Sequence, residues 1–442
     1  MIFNFSNIGI VESAEIELKG LTVLTGLNDT GKSFLSKTIY SIIKTVTESK
    51  EQAVFERFEL INNNINQAFS LHRQFVPFTP QKLQSFNPSD ISNKILNYLL
   101  QQTPEQEVVD YVSIYFNKII EDLNINADRN INLKNNTNNI LTTLNGLLEK
   151  IVIALKDEGD DEKKYKRYFD NAIISKLFQG QINSLVSKNS TLKIKVTEGV
   201  TELLNINVKN NKTLNFKIEN ILLKTDATFI ETPIIVQLAS FITSTLAFPK
   251  VLKKIYQQRT ELPYHLIDLV EKINSPTNIP ETYHDIFNGI KKLIDGQLTF
   301  KINERRIVFE KNDGTSIQTF NIASGIKSLG IIQLLLSGGT INQNTILIID
   351  EPEVHLHPKW EVEYAKIIVA LSKIGIPILI SSHSPYLLQA IPYFVDKYET
   401  QNITKIYYGE KCPEKRTSVF KDVTEDLEPV FKAIAKPMQD LL

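Results

Sequence analysis

Gly26-Leu27-Asn28-Asp29-Thr30-Gly31-Lys32-Ser33 is the stretch that decides the fold, because it matches the phosphate-binding pattern G-x-x-x-x-G-K-[S/T] at every position. An apolar run at residues 21–25 precedes it as a predicted strand, and residues 34–40 are suited to a helix. In this context the glycines let backbone N–H groups surround a phosphate, and the start of the helix adds partial positive charge. The plainer alternative, an ordinary strand-to-helix turn with a surface lysine, leaves the agreement of motif and context unexplained.

This loop predicts a site for ATP with Mg²⁺. We expect Lys32 to reach the β- and γ-phosphates and the hydroxyl group of Ser33 to bind the metal. The predicted nucleotide-binding residues of the loop and the adjoining helix are Gly26, Asn28, Thr30, Gly31, Lys32, Ser33 and Phe34.

Composition excludes several classes of protein. The 442 residues suffice for two or three domains, and 49 Lys and Arg against 50 Asp and Glu give a net charge of −1, which argues against a uniformly basic nucleic-acid binder. The single cysteine, Cys412, excludes an internal disulfide and favours a reducing compartment. Neither a signal peptide nor an apolar run of membrane-spanning length is recognisable, so we expect a cytoplasmic protein without a membrane partner.

Two carboxylates follow a buried strand in the last third of the chain. Asp350 and Glu351 end the apolar run at residues 345–349, at the sheet edge where open α/β folds bind ligands. A magnesium nucleotide needs a carboxylate near Ser33 for the metal, and we assign Asp350 to it. It also needs a group that orients water against the γ-phosphate, and we assign Glu351. Without the phosphate loop, the pair would equally well be acids leaving a strand for solvent.

Two further segments are expected near the nucleotide. His383 follows a second apolar strand at residues 376–381, so its imidazole should reach the same sheet edge and hydrogen-bond the γ-phosphate or the attacking water. Ser324 and Gly325 precede an apolar helix at residues 329–336, and a helix start of this kind can bind an anion. Taken alone, Ser324 would be an ordinary helix cap.

The hydrophobic pattern predicts an α/β chain interrupted by helices. A helix over about residues 31–44 follows the loop, and residues 46–185 and 233–294 are mostly helical. Period-two alternation predicts antiparallel strands with one wet face. These strands are expected at residues 192–196, 204–208 and 214–218, and two more strands at about residues 298–302 and 306–310. The buried strands on either side of a helix at residues 361–373 favour a doubly wound sheet.

The order of phosphate loop, long insertion, Ser-Gly helix start, acid pair and late histidine resembles an ABC-type ATPase head. The stretch Asp350-Glu351-Pro352-Glu353-Val354-His355-Leu356-His357-Pro358 resembles the acid-pair motif and following loop of the overcoming-lysogenization-defect (OLD) ATPases and their relatives in bacterial anti-phage systems. Ser324-Gly325-Ile326-Lys327 points the same way. The resemblance covers residues 1–45 and 295–395 well and the middle weakly. It implies an α/β P-loop NTPase of ABC-ATPase type, with an antiparallel β subdomain, a mostly parallel core sheet and an inserted, mainly helical domain.

The resemblance also implies a head-to-tail homodimer, or a higher oligomer, with two ATP molecules between the heads. The phosphate loop of one subunit would then face Ser324 and Gly325 of the other. His383 would be the switch histidine. His355 and His357 would lie in a loop that approaches the dimer seam.

On this basis we divide the chain into five segments. They are residues 1–45, the N-terminal half of the head; 46–190, a helical insertion; 191–295, strands and helices completing or flanking the head; 296–395, the C-terminal half with signature, acid pair and histidine; and 396–442, C-terminal strands and a helix. The tail after His383 is too short for the Toprim nuclease domain of OLD nucleases and shows no D-x-D. We therefore expect any nuclease on another chain.

The expected function is ATP hydrolysis by a sensor or motor subunit of an anti-phage defence system, acting with a separate effector such as a nuclease. One alternative is an SMC-like ATPase of DNA repair or chromosome maintenance, which a sustained heptad pattern in residues 46–185 would favour; the sequence shows none. Another is a scaffold that assembles on ATP with little turnover. Nucleic-acid binding stays open.

Weaker patterns give further alternatives. Glu353, His355 and His357 resemble metal ligands without a clear fourth donor. Arg259 and His265 have the loose spacing of certain helical ribonucleases. The family's Mg²⁺-contacting glutamine has the candidates Gln67, Gln74, Gln81 and Gln84, and the adenine contact has the candidates Phe5 and Asn7.

Overall fold

The computed structural model describes residues 1–76, 88–101, 105–127, 131–156, 161–183, 190–220, 226–245, 262–275, 279–354 and 356–439. The chain divides into two compact units. We call the first, Met1–Thr47 with Tyr165–Leu442, the head, and the second, Glu48–Lys164, the insertion. Each is described by itself.

Among the residues that the structure describes, the strands all belong to the head. They are β1 (Ile2–Ile8), β2 (Val11–Glu17), β3 (Leu21–Gly26), β4 (Leu192–Glu198), β5 (Thr201–Lys209), β6 (Lys212–Ile218), β7 (Asp226–Ile230), β8 (Gly296–Lys301), β9 (Arg306–Lys311), β10 (Ser316–Gln318), β11 (Thr345–Asp350), β12 (Ile378–Ser382), β13 (Thr404–Cys412) and β14 (Thr417–Asp422).

The helices occur in both units. They are α1 (Lys32–Phe75), α2 (Pro88–Gln101), α3 (Glu105–Ala127), α4 (Ile131–Lys156), α5 (Asp161–Tyr168), α6 (Ile235–Thr245), α7 (Tyr264–Ile273), α8 (His284–Leu293), α9 (Ser324–Ser337), α10 (Pro358–Lys373), α11 (Pro385–Tyr398) and α12 (Glu428–Gln439), with a π-helical segment at Phe169–Leu177 after α5. None of the helices in the described ranges is long and apolar enough to cross a membrane.

One large mixed sheet organises the head. Its eleven strands have the order β6-β5-β4-β1-β2-β14-β13-β3-β12-β11-β7, and a smaller sheet has the order β10-β9-β8. Neighbours from β6 to β2 are antiparallel, whereas β13, β3, β12, β11 and β7 all run in one direction. The predicted α/β class, with an antiparallel section beside a mostly parallel core, is therefore confirmed. The five strands predicted at residues 192–218 and 298–310 are also found, as β4, β5, β6, β8 and β9.

The parallel strands bring distant segments to one edge of the sheet. β3 ends at Gly26, where the phosphate loop begins, while β11 ends at Asp350 and β12 at Ser382. Asp350 pairs in register with Ser381 of β12. Because the carboxyl ends of parallel strands share one edge, the loop, the acid pair and the segment before His383 become neighbours.

Apolar residues cover both faces of this core. Along β11, Leu347 and Ile349 belong to one hydrophobic cluster, and Ile346 and Ile348 belong to the cluster on the other side. All four are essentially inaccessible, and each such side chain contributes about 1.5–3 kcal/mol by leaving water. The uninterrupted apolar run in the sequence is thus the mark of a strand covered on two sides.

Helix α1 is much longer than the sequence pattern predicts. It extends over 44 residues, whereas we expected it to end near residue 44. No glycine or proline occurs between Lys32 and Phe75, so nothing in the backbone stops it before Pro77. Residues 46–75 of the stretch predicted as mostly helical therefore belong to this one helix.

The insertion is almost entirely helical in its described residues. The apolar face of α3 is buried at Val108, Val112 and Ile119, and that of α4 at Leu144 and Ile151. The unit ends at Lys164, earlier than our expected boundary at residue 190. The physical reason lies in aromatic residues: Tyr165, Tyr168 and Phe169 join the core of the head, where the rings of Tyr165 and Phe169 lie against Phe216 of β6.

A buried charge network fixes the first part of α1 within the head. Lys44 Nζ, only 3% exposed, lies 2.7 Å from Asp226 Oδ1 and 2.8 Å from Asp268 Oδ1. Lys272 Nζ lies 2.7 Å from Asp226 Oδ2, and Tyr40 donates to Asp268 at 3.2 Å. Buried charges need such partners. They connect the helix that follows the phosphate loop to β7 and α7.

Candidate functional site

The phosphate loop has a backbone that requires its glycines. Gly31 has φ +93° and Gly26 has φ +148°, both unfavourable for residues with a side chain. A Cβ atom on Gly31 would lie 2.4 Å from Val11 Cγ2, and one on Gly26 would lie 2.9 Å from the carbonyl oxygen of Gly409. The motif glycines therefore allow both the turn and the close approach of β2 and β13.

Lys32 is held beneath the loop. Its side chain is buried, and Nζ donates to the carbonyl oxygens of Gly26 at 3.0 Å and Leu27 at 3.1 Å. Burial lowers the pKa of Lys32, and the nearby negative charges of Glu351 and Asp350 oppose that shift. Because an ammonium group has three protons, one remains for a phosphate oxygen.

The two predicted metal ligands meet. Ser33 Oγ donates to Asp350 Oδ1 at 3.2 Å, although the residues are 317 positions apart. Ser381 Oγ donates to the same carboxylate oxygen. Burial raises the pKa of Asp350, while the hydrogen bonds from Ser381 and Ser33 and the charge of Lys37 oppose the shift. A hydroxyl and a carboxylate side by side are the oxygen ligands that Mg²⁺ prefers.

Glu351 and His383 also lie together at this edge. Glu351 has φ +46°, and its backbone N–H donates to the carbonyl oxygen of Ser381 at 2.9 Å. Its Oε1 lies 3.6 Å from His383 Nδ1, and both side chains are partly exposed. Glu353 approaches the same nitrogen at 3.3 Å from the buried side. In the sequence Glu353 resembles only a metal ligand, and no local pattern indicates its contact with His383.

Other loop residues have more limited roles. Thr30 Oγ1 donates to the carbonyl oxygen of Leu27 at 3.0 Å, so the hydroxyl shapes the loop, and Asn28 is exposed. The ring of Phe34 packs on Phe178, with centroids 5.5 Å apart. Any contribution of Phe34 to nucleotide binding therefore rests on its backbone N–H group.

Ser324 and Gly325 begin α9, as predicted, but they contribute none of the contacts described above. A Cβ atom on Gly325 would lie 2.7 Å from the ring of Trp360 and 3.2 Å from Leu356, so glycine permits this close packing. The prediction that Ser324 and Gly325 face the phosphate loop of a second subunit concerns a dimer and stays a prediction.

The C-terminal hairpin supports the phosphate loop, and the sequence motifs gave no sign of it. Gly409 of β13 pairs with Gly26, and Ser418 of β14 donates from Oγ to the carbonyl oxygen of Thr30 at 2.6 Å. Ser418 is 388 positions from Thr30, so no local pattern could indicate the contact.

The candidate metal ligands and the pair Arg259 and His265 are the weaker patterns of the sequence. His357 Nδ1 caps α10 by accepting from the backbone N–H of Lys359 at 3.2 Å, and His355 lies outside the described residues. Within the described ranges, no group of three or more His, Cys, Asp or Glu residues could hold a metal ion. Arg259 is likewise outside them, and His265 is 1% exposed.

The glutamine and adenine candidates gain no support. Gln67 and Gln74 lie on α1 within the insertion, and Gln81 and Gln84 lie outside the described residues. Phe5 is 2% exposed, so its ring is in the core, and Asn7 donates from Nδ2 to the carbonyl oxygen of Thr191 at 3.2 Å.

A further carboxylate follows β7 at the same sheet edge. Glu231 Oε2 lies 2.7 Å from Nε2 of the buried His265, and Oε1 lies 2.6 Å from Lys37 Nζ of α1. The hydrogen bond from His265, with the charge and hydrogen bond of Lys37, overcomes burial and lowers the pKa of Glu231 from 4.5 to about 2.

This pKa predicts a pH-dependent contribution to stability. Since the folded pKa lies below the unfolded one, ionised Glu231 stabilises the fold fully above pH 4.5, and the contribution is lost as the pH falls towards about 2. We expect Glu231→Gln to lower the urea midpoint at pH 6, and the difference from wild type to shrink progressively below pH 4.5. Urea titrations at several pH values measure it. A difference that stays constant down to pH 3 would contradict the assignment. The control is Glu363→Gln, the same chemical change at a half-buried glutamate of α10 that faces Lys366 at 3.4 Å.

Comparison with known proteins gives matches of different strength. A curated relative, the Retron Ec83 probable ATPase of Escherichia coli, is 25% identical over 187 residues, which cover 39% of this chain and 32% of the relative. The chain thus spans about a third of the length of that relative. An SMC head domain from Thermotoga maritima aligns with 96% of this chain and 98% of its own, at 10% identity and a TM-score of 0.38. An Smc head domain with a coiled coil and joint from Pyrococcus yayanosii aligns over 99% of both chains, at 10% identity and a TM-score of 0.36.

A family model described as AAA ATPase domain matches residues 3–388. This span is most of the chain, and it contains the phosphate loop, Asp350, Glu351 and His383. The predicted ATPase identity is thereby confirmed at the level of the family: the chain belongs to the AAA ATPase domain family.

Proposed function

We propose that the protein binds ATP with Mg²⁺ and hydrolyses the terminal anhydride bond. The observation that carries the proposal is the 3.2 Å contact between Ser33 Oγ and Asp350 Oδ1, because a hydroxyl and a carboxylate are oxygen ligands suited to Mg²⁺ and this pair lies at the end of the phosphate loop. The metal would neutralise charge on the β- and γ-phosphates. Lys32 would hold the same phosphates, Glu351 would orient water for in-line attack, and His383 would hydrogen-bond the γ-phosphate or that water.

The metal assignment is tested by Asp350→Asn. An amide oxygen is a poorer ligand for a hard cation than a carboxylate, so we expect the Mg²⁺ concentration for half-maximal ATP turnover to rise by at least about tenfold. Phosphate release at saturating ATP across a Mg²⁺ series measures it. Asp285→Asn, on the exposed side of α8, is the control for the same chemical change. An unchanged Mg²⁺ dependence in Asp350→Asn would refute the assignment.

We further propose that two heads close on ATP as a homodimer. The phosphate loop of one subunit would face the start of α9, with Ser324 and Gly325, in the other. A second helix N-terminus would add favourable charge to the γ-phosphate only in the closed state, so ATP would drive closure and hydrolysis would release it.

The biological role that we propose is that of a sensor or motor ATPase in anti-phage defence, acting with a separate effector such as a nuclease. Two observations support it, namely the OLD-like loop after the acid pair and the similarity to the Retron Ec83 probable ATPase. Phage plating on cells that carry the gene with its neighbours, as wild type or as Glu351→Gln, tests the role. Equal plating on both strains and on the empty strain would exclude it.

A further inference from the structure

A buried carboxylate lies behind the acid pair. The Glu353 side chain is 7% exposed, and its Oε1 accepts hydrogen bonds from Ser382 Oγ at 2.8 Å and from the backbone N–H of His383 at 2.8 Å. A carboxylate is costly to bury, and these two donors offset only part of that cost. Its other oxygen, Oε2, is buried and has no hydrogen-bond partner among the described residues.

The same carboxylate faces the histidine ring. His383 Nδ1 lies 3.3 Å from Glu353 Oε1 and 3.6 Å from Glu351 Oε1. This nitrogen is buried and, in the part of the chain that the structure describes, makes no hydrogen bond of good geometry. Nδ1 and Glu353 Oε1 are therefore close enough for a hydrogen bond, but the present orientation of the ring does not form one. A small rotation of the ring would convert the contact into a hydrogen bond.

The two carboxylates beside Nδ1 differ in how firmly they are held. Glu353 is anchored by Ser382 and by the backbone, whereas the Glu351 side chain is 37% exposed. Ser384, the residue that follows His383, is anchored as well. Ser384 Oγ donates to Glu361 of α10 and accepts from the backbone N–H groups of Tyr386 and Leu387 at the start of α11.

We propose that Glu353 is the positioning residue for His383 in the ATPase reaction. Its carboxylate accepts a hydrogen bond from Nδ1–H, which fixes the ring and its tautomer and leaves Nε2 for the nucleotide. Glu351 is then free to orient water. The proposal rests on the proposed function, and it predicts that Glu353 acts only through His383.

Steady-state kinetics test the proposal. Glu353→Gln keeps the shape and one acceptor oxygen but removes the charge, so we expect kcat for ATP to fall by about 10–100-fold with KM unchanged. In a His383→Ala background the same change is expected to cost nothing further, because the group on which Glu353 acts is gone. Glu363→Gln on α10 is the control and should behave as wild type. Equal kcat in Glu353→Gln and the control, or losses that multiply in the double variant, would overturn the proposal.

A second readout does not depend on turnover. In protein labelled with ¹⁵N-histidine, the ring signals of His383 are those absent from His383→Ala, and Glu353→Gln should shift them towards the other tautomer. The remaining histidine signals report whether the fold is intact. Ser382→Ala, which removes one anchor of Glu353 and keeps its charge, should give an intermediate kcat, and a wild-type value would count against the proposal. If wild-type protein does not hydrolyse ATP, the proposed function fails, while the ring spectra still decide the contact.

Discussion

Replacing Lys32 with alanine is expected to abolish nucleotide binding. Lys32 Nζ is held by the carbonyl oxygens of Gly26 and Leu27 in the middle of the phosphate loop, with its third proton left for phosphate. A hydrogen bond to a charged group is worth about 1.5–3 kcal/mol, so losing the one that this proton makes, together with the positive charge beside the phosphates, should weaken ATP binding by about 100-fold or more. Titration calorimetry with ATP and Mg²⁺ measures the effect directly.

The control for this change is Lys19→Ala, which removes a lysine from an exposed position in the head. The change also leaves the carbonyl groups of Gly26 and Leu27 without their donor, which could destabilise the fold. Circular dichroism and a melting curve therefore test whether Lys32→Ala is folded. Tight ATP binding by folded Lys32→Ala would show that the loop does not hold the phosphates as proposed.

The second large effect is expected from Glu351→Gln, which should trap an ATP-bound dimer. Glutamine retains the shape of the side chain but cannot accept a proton from water, and loss of such a group lowers turnover by about 10²–10⁴-fold. ATP binding should persist, since Lys32, Ser33 and Asp350 are unchanged. The closed state would then accumulate because its exit by hydrolysis is blocked.

Mass photometry with and without ATP and Mg²⁺ measures this accumulation, and phosphate release measures turnover. Wild type should show only a small dimer fraction with ATP, and Glu363→Gln should match wild type. A monomeric Glu351→Gln that ATP leaves unchanged would exclude the head-closure proposal. Undiminished turnover would exclude the role of Glu351 instead, so the two ideas fail separately.

The meeting of the candidate site residues could be predicted because each of them lies in a short segment with a clear pattern. The phosphate loop follows β3. Asp350 and Glu351 come at the end of an uninterrupted apolar run, which is typical of a strand that is buried on both faces. Parallel strands then place their ends at one edge, so the contact between Ser33 and Asp350 follows from topology.

What could not be predicted depends on partners that are distant in the sequence. The support that Ser418 gives to the loop has no local signal, and the packing of Phe34 on Phe178 depends on a segment well over a hundred positions later. The extent of the compact helical unit has no local signal either, because Tyr165 and Phe169 have a helical pattern, yet both belong to the hydrophobic core of the head. Helix periodicity states which face is apolar and not what covers it.

The place of β3 in the sheet has a consequence for how the protein is made. Its two neighbours, β12 and β13, are translated long after Gly26, and at about 5–20 residues per second the wait is some tens of seconds. Until then the segment of β3 has no neighbouring strand, and the phosphate loop that follows it has neither Asp350 nor Gly409 beside it. Ribosome-bound fragments that stop short of Gly409 should therefore not bind ATP. The nucleotide would then be a ligand of the folded head and would not assist its early folding.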